Sequence, residues 1–205
     1  MIVPVGLEPP RRVFYRPPAK SLRASRWLAR TEAPWLLVVA RARAADSRCW
    51  LRVPLPWRPN RAAGWVNADN VVLEKTRWRI AVSRTRRTLT LFRAGASIRT
   101  VRVVVGRPST PTSIGLFAVR QAIPWHPNDF LGSWVIELTA HSDVLQEFDG
   151  GDGTVGIHGR GGASLLDPLG SDRSHGCIRL SNDSIDWLEQ TIGASQLPGT
   201  PVRIS

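Results

Sequence analysis

Cysteine is scarce in this chain of 205 residues. Cys49 and Cys177 are the only two, and they lie 128 positions apart in segments of different character. A small secreted domain held together by disulfides needs several paired cysteines, so the sequence argues against that class and leaves only one long-range bridge open. Cysteine content therefore does not fix the redox compartment.

Long apolar runs and a secretory signal are also missing. The longest apolar run, WLLVVA at residues 35–40, ends at Arg41, whereas a membrane-spanning helix needs roughly 20 apolar residues. The N-terminal stretch MIVPVGLEPPRR has no basic segment followed by an apolar one. We expect no transmembrane segment, and either a cytoplasmic location or a signal removed upstream of this chain.

Lysine is nearly absent, and the basic residues are unevenly distributed. Lys20 and Lys75 are the only lysines among 28 basic residues. Residues 1–119 carry 23 basic and 5 acidic side chains, a net +18, whereas residues 120–205 carry 5 and 11, a net −6. The basic half is either a solvated face or a surface that attracts an anionic polymer. No recognition motif accompanies the charge, so we expect no specific nucleic-acid partner.

Short β-like segments make up most of the chain. Residues 1–30 are rich in Pro and Arg and predict an extended arm or linker, and residues 31–76 predict a small β module. A longer β-rich domain is expected over residues 77–205. Its helix should be NDSIDWLEQTI, at 182–192, with Ser181 or Asn182 as N-cap and Gly193 at its end. AHSDVLQEF, at 140–148, is a candidate for a second, short helix.

The stretch SDRSHGCIRL, at residues 171–180, raises the question of what Cys177 does. A cysteine nucleophile reacts as the thiolate and needs a proton acceptor, for which His158 and His175 are candidates. Proximity favours His175, because in an extended HGC the His175 and Cys177 side chains point to the same side, unless a turn at Gly176 breaks the alternation. The N–H groups of Gly176 and Cys177 would suit an oxyanion hole for acyl transfer.

Other interpretations of these residue types are weaker. A metal site built from the two histidines and Cys177 lacks paired ligand spacing and a fourth ligand, so no metal or other cofactor is expected. Cys49, without a nearby histidine, fits a small buried residue. His126 and His141 fit ordinary surface or core histidines.

The motif also resembles a known family. GIHG, and then SHGCIRL after fifteen residues that follow His158, resemble the signature of the L,D-transpeptidase catalytic domain, also called the YkuD domain. IAVSRTRRTLTLF, VRVVVGRPSTPTSIGLFAV and PGTPVRI resemble its opening strands, its Gly to Thr-Pro-Thr loop and its final strand. The resemblance covers residues 78–205 and implies a mostly β, sandwich-like catalytic domain with one flanking helix. WLRVPLPWRPNRAAGWV resembles bacterial SH3-like modules, which implies a small β-barrel within residues 31–76.

The resemblance implies a role for each motif residue. Cys177 matches the acylated nucleophile, His158 the general base and His175 an auxiliary histidine. Some family members carry a serine at the position of Gly159 that orients the base, so here the orienting contact should come from elsewhere. The positions matching the oxyanion hole and the support of the site are Gly176, Ser174, Arg179 and Gly159.

The loop RQAIPWHPNDFLGS, at residues 120–133, is long enough to have a function. It corresponds to the flap over the active site, where family members differ. We expect Trp125, His126 and Phe130 to be candidate substrate contacts.

By the same resemblance, the substrate is bacterial peptidoglycan. Cys177 would attack the carbonyl of the third stem residue, release the terminal D-alanine, and pass the acyl group to the side-chain amine of another stem, giving a 3→3 cross-link. Water as acceptor would make the enzyme an L,D-carboxypeptidase, and a non-catalytic wall-binding protein is the contrasting class. The implied location is the cell envelope outside the cytoplasm. Carbapenem-type inhibitors would acylate Cys177, and the basic half would hold the protein on anionic wall polymer.

Overall fold

The structure is a computed structural model that describes residues 3–5, 11–15, 35–147 and 150–205. The first part of the chain forms an N-terminal module of two small antiparallel sheets. Its strands are β1 (Val3–Val5), β2 (Arg11–Tyr15), β3 (Trp35–Val38), β4 (Ala40–Arg43), β5 (Cys49–Pro54), β6 (Ala63–Asn67) and β7 (Val71–Lys75), with a 3-10 turn at Ala68–Asn70. The sheet orders are β1-β4-β5-β6 and β3-β2-β7.

The described part of the N-terminal module has an apolar cluster of its own. Alternate residues of β5, Leu51 and Val53, are fully buried and meet Val38 of β3. This period-two burial is what a strand with one inward face produces. Cys49, the first residue of β5, is half-buried, and both it and Cys177 are free thiols, so the long-range bridge left open by the sequence does not form.

Part of the predicted arm is paired with this module. β1 pairs with β4, and β2 pairs with both β3 and β7. An extended arm is therefore the wrong description of these two segments. The reason lies in their Val, Phe and Tyr residues, which favour strands in spite of the prolines around them. The other residues of 1–30 lie outside the described ranges.

The second part of the chain forms a domain around one curled eight-stranded sheet. Its order is β10-β9-β8-β17-β12-β13-β14-β16, in which β8–β17 and β14–β16 are parallel pairs. A separate parallel pair joins β11 to β15. The strands are β8 (Trp78–Ser83), β9 (Thr88–Arg93), β10 (Ala96–Arg102), β11 (Val105–Gly106), β12 (Gly115–Pro124), β13 (Trp134–His141), β14 (Thr154–His158), β15 (Asp172–Ser174), β16 (Ile178–Arg179) and β17 (Pro201–Ile204).

One apolar core lies inside this sheet. It contains 22 buried apolar residues, and nearly every strand contributes to it. Alternate residues of the first two strands are buried in it, namely Ile80 and Val82 of β8 and Leu89 and Leu91 of β9. The expectation of a mostly β domain is thus confirmed, with a single curled sheet as its main element.

The predicted helix is confirmed as α1 (Asn182–Ile192). The hydroxyl of Ser181 accepts the N–H of Ser184 at 3.3 Å and caps the first turn. Ile185, Leu188 and Ile192 share the face that packs on the core. Within the described ranges, no helix is long and apolar enough to cross a membrane.

The second predicted helix is wrong over residues 140–147. Ala140 and His141 end strand β13, and a bend follows. The hydroxyl of Ser142 accepts the N–H groups of Val144 and Leu145, at 3.3 and 3.0 Å. A serine side chain that captures nearby N–H groups offers the backbone an alternative to the helix.

Candidate active site

Cys177 lies in the turn that joins β15 to β16, at the edge of the large sheet. β16 runs parallel to β14, and Arg179 lies opposite His158 in their register. Two residues before His158, the N–H of Gly156 points to Cys177 Sγ at 3.5 Å. Cys177, His158 and Arg179 line one cleft. The thiol, the imidazole and the guanidinium therefore face the same open space.

Ser174 shapes the turn around Cys177. Its buried hydroxyl donates to the Cys177 carbonyl at 2.6 Å and accepts the N–H of Gly176 at 3.1 Å. Gly176 has a φ of +127°, a region that residues with a side chain rarely adopt. The HGC sequence is thus a turn, which breaks the alternation that favoured His175. The N–H of Gly176 is taken by Ser174, whereas no acceptor for the N–H of Cys177 is found in the described part of the chain.

His158 ends β14 and is buried. Its ring Nδ1 lies 2.8 Å from the carbonyl oxygen of Gly159, which can only accept, so Nδ1 carries the proton and Nε2 is the basic nitrogen. The pKa of His158 is lowered to about 4, mainly by burial and also by the charge of Arg179, while the carbonyls of Gly159 and Leu131 oppose the shift. The imidazole is therefore neutral at neutral pH.

The pKa of the Cys177 thiol is shifted in the opposite direction. Burial raises its pKa, while the N–H of Gly156 and the charge of Arg179 both oppose the increase. A neutral thiol beside a neutral imidazole is the resting state that these shifts favour. Such a pair suits general-base catalysis, in which the proton leaves sulfur as the new bond forms.

Arg179 is a buried cation with a specific partner. Its Nη1 lies 2.7 Å from Asp167 Oδ2, and its guanidinium stacks 4.7 Å from the centre of the Phe130 ring. A buried charge is costly unless it is paired, so Asp167 holds Arg179 at the site. Sequence reasoning missed Asp167, because no motif or regular spacing connects it to Arg179.

His175 also lines the cleft, and it is half-buried. Burial lowers its pKa, the charges of Arg107 and Arg179 add to this effect, and Asp167 opposes it. Both histidines named from the sequence thus lie at the site. His158 is the one fixed on a strand beside the cysteine.

The 120–133 loop brings one of its three candidate residues to the cleft. Phe130 lines it, and the Phe130 ring centre lies 6.4 Å from that of His158. Trp125 and His126 are exposed, and neither is among the described residues that line the cleft.

Asn182 connects helix α1 to this loop. Because Ser181 is the N-cap, the Asn182 side chain is available to accept the N–H of Arg160 at 2.9 Å and to donate to the Pro127 carbonyl at 3.2 Å. A Cβ on Gly159 would lie 2.2 Å from Asn182 Oδ1, so Gly159 permits this packing. The sequence indicated Asn182 only as a possible cap.

A comparison with known protein families identifies the part of the chain that contains this site. Residues 77–204 match the family model of the L,D-transpeptidase catalytic domain, YkuD. No curated protein matches the chain.

Similar solved structures include three L,D-transpeptidases from mycobacteria. An L,D-transpeptidase from Mycobacterium tuberculosis H37Rv is 17% identical, with a TM-score of 0.52 over 84% of this chain and 90% of that one. L,D-transpeptidase 3 from Mycobacterium tuberculosis, in complex with a faropenem-derived adduct, is 16% identical, with a TM-score of 0.49 over 73% and 75%. An L,D-transpeptidase from Mycobacterium smegmatis is 17% identical, with a TM-score of 0.45 over 77% and 90%.

Proposed function

The chain belongs to the L,D-transpeptidase catalytic domain (YkuD) family, and from this we propose that it is a peptidoglycan L,D-transpeptidase with Cys177 as nucleophile and His158 as general base. One observation carries the proposal. The Cys177 thiol lies against the N–H of Gly156, and the neutral, buried His158 lines the same cleft.

In the acylation step, Cys177 Sγ attacks the carbonyl carbon of the third residue of a donor stem peptide. Nε2 of His158 takes the thiol proton as the C–S bond forms, because the resting thiol is neutral. The N–H of Cys177 is the main-chain donor available to the oxyanion, since Ser174 engages that of Gly176. The C–N bond to D-alanine then breaks, and His158 returns the proton to the leaving amine. The product is a thioester on Cys177.

In the second step, the side-chain amine of another stem attacks the thioester carbonyl. His158 takes a proton from this amine, the C–S bond breaks, and the proton restores the Cys177 thiol. The new amide is a 3→3 cross-link. Atoms and charges balance in both steps without a cofactor.

The remaining site residues support these steps. Arg179 is held by Asp167, and its positive charge favours the sulfur anion and the oxyanion as they develop. His175 shapes the side of the cleft next to Gly176, and Phe130 offers an apolar surface to the donor stem. Ser174 keeps the Cys177 turn closed.

We also propose roles for the N-terminal module and the basic half. We keep an SH3-like module within residues 31–76 as a proposal, and the antiparallel strands β4, β5 and β6 with the cluster of Val38, Leu51 and Val53 are the features that favour it. Residues 1–76 carry 14 basic and 5 acidic side chains, which favours contact with anionic wall polymer. The location that follows from the substrate is the cell envelope outside the cytoplasm.

Acylation by a carbapenem tests the nucleophile. The strained β-lactam carbonyl is an acyl donor, and intact-mass spectrometry reports the covalent adduct. Wild type and Cys49→Ala should each gain one adduct, and Cys177→Ala should gain none. An unmodified wild type, or an adduct that persists in Cys177→Ala, contradicts the proposal. With a tetrapeptide donor, accumulation of a cross-linked dimer supports the transferase, and tripeptide alone identifies a carboxypeptidase.

A further inference from the structure

The N-terminal module places one guanidinium among three backbone carbonyls of the catalytic domain. Arg58, between β5 and β6, donates through Nη1 to the Ser142 carbonyl at 2.6 Å and through Nη2 to the carbonyls of Leu145 and Asp152 at 2.7 and 3.0 Å. The planar fork of arginine allows one side chain to satisfy several acceptors in fixed directions. Arg58 thus ties together three peptide groups of the segment that connects β13 to β14.

Asn60, two residues later, binds the start of the same segment. Its Nδ2 donates to the His141 carbonyl at 2.6 Å and to Asp143 Oδ1 at 2.7 Å, and its Oδ1 accepts the N–H of His141 at 2.9 Å. Arg58 and Asn60 together make six hydrogen bonds to the catalytic domain. The contact between the two parts of the chain is therefore specific as well as polar.

The segment that they hold is a side of the catalytic cleft. Ser142, Leu145, Gly153 and Thr154, which we call the cleft wall, line the same cleft as Cys177. Gly153 has a φ of +72°, and a Cβ there would lie 2.4 Å from the Leu145 carbonyl and 2.8 Å from Arg58 Nη2. The wall is thus shaped closely around the guanidinium.

We propose that Arg58 and Asn60 are positioning residues, which hold the cleft wall in the shape that binds the donor stem peptide. The identity of this ligand rests on the proposed function. His158 is held by the pairing of β14 with β13 and β16, and Cys177 by the turn that Ser174 closes, neither of which involves Arg58. Loss of the Arg58 contacts therefore weakens donor binding and leaves the reacting groups in place. The N-terminal module is in this sense a part of the active site.

Arg58→Ala in the full chain tests the proposal, with Arg52→Ala as the matched control. Arg52 is an exposed residue of β5, so its removal takes the same charge from the same module. We expect Arg58→Ala to raise the KM for a tetrapeptide donor about tenfold or more with kcat within about threefold, and Arg58→Lys to restore part of the loss. An unchanged KM, or a fall in kcat alone, overturns the proposal.

Hydrogen exchange gives a readout that does not need activity. In Arg58→Ala, the amides of Leu145 and Thr154 should exchange about tenfold faster or more, while those of β9 keep the wild-type rate. Equal rates in Arg58→Ala and Arg52→Ala would contradict the proposal. Failure of wild type to react with a carbapenem would instead reject the proposed function, and the exchange result would stand by itself.

Asn60→Asp provides a second variant that keeps the size of the side chain. It turns the amide donor into a carboxylate oxygen that faces the His141 carbonyl and Asp143 Oδ1. The KM should rise, because the introduced carboxylate repels Asp143. Asp143→Asn in the same chain should bring the KM part of the way back to the wild-type value, because an amide at position 143 can donate to the introduced carboxylate. Asp143→Asn alone keeps an acceptor for Asn60 and should resemble wild type. A KM unaffected by Asn60→Asp would overturn the proposal.

Discussion

The two parts of the chain contribute to the cleft in different ways. Among the described residues, the catalytic domain has a core of 22 buried apolar residues, and the N-terminal module has a cluster of Val38, Leu51 and Val53 with half-buried apolar residues packed against it. The module nevertheless places Arg58 and Asn60 on the cleft wall through six hydrogen bonds. The comparison shows that the sheet around the large core positions Cys177 and His158, whereas the N-terminal module reaches the cleft through polar contacts.

The largest expected effect on the rate of acylation comes from replacing His158, the proposed base, while the N-terminal module is left unchanged. In His158→Gln, the side-chain amide can still donate to Gly159 but cannot take the thiol proton. We expect the carbapenem acylation rate to fall about a thousandfold, measured by intact mass over time. His175→Gln is the matched control and should lose about tenfold or less. A greater loss in His175→Gln would reverse the assignment of the base.

Matched truncations test the two cores directly. Ile157 and Leu51 are both fully buried, one in each core. Ile157→Ala should cost about 4 kcal/mol in free energy of unfolding, measured by denaturant titration, because the cavity lies in a densely packed sheet. Leu51→Ala should cost about 2 kcal/mol, since most of the described apolar residues packed around its cluster are only half-buried and can move to fill the cavity.

The truncation in the N-terminal module should also have a distinct effect on function. Leu51→Ala should loosen the cleft wall in hydrogen exchange and leave Cys177 reactive with a carbapenem. Loss of Cys177 reactivity in Leu51→Ala, at a temperature where the catalytic domain stays folded, would show that the apolar cluster of the N-terminal module also holds the nucleophile.

Acid should weaken the catalytic domain through His158. Its pKa is about 4 in the folded protein and 6.5 without burial, so between these values the unfolded chain binds a proton that the folded one does not. Stability should therefore rise with pH across this window, by about 3 kcal/mol in total, and be lost as pH falls towards 4. The measurement is the free energy of unfolding from pH 4 to 7 for wild type minus that for His158→Gln. A difference that is flat with pH would contradict the buried, neutral imidazole.

Local patterns were sufficient to predict helix α1 and to propose Cys177 as the nucleophile, whereas long-range contacts are not visible in such patterns. Helix α1 was predictable because its cap and its 3.6-residue period lie within one short stretch. The two halves of the motif around His158 and Cys177 were recognisable from their residues. The ion pair of Arg179 with Asp167 and the hydrogen bonds of Arg58 to three backbone carbonyls follow no periodic pattern in the sequence. The failed helix at 140–147 shows the same limit, because its first residues pair in β13 and distant Arg58 and Asn60 hydrogen-bond to the backbone that follows.

The smallest expected effect distinguishes the two histidines inside the catalytic domain. Asp167 opposes the decrease in the pKa of His175, whereas the shift of His158 arises from burial, Arg179 and two carbonyls. Asp167→Asn keeps an acceptor for Arg179 and removes the negative charge. The pKa of His175 should therefore fall further, while that of His158 stays nearly unchanged, in an NMR titration of the ring protons. Asp172→Asn, whose carboxylate pairs with Arg87, is the control and should move neither. A larger pKa shift at His158 than at His175 would contradict this expectation. It would mean that the carboxylate of Asp167, and not only the charge of Arg179, sets the pKa of the proposed base.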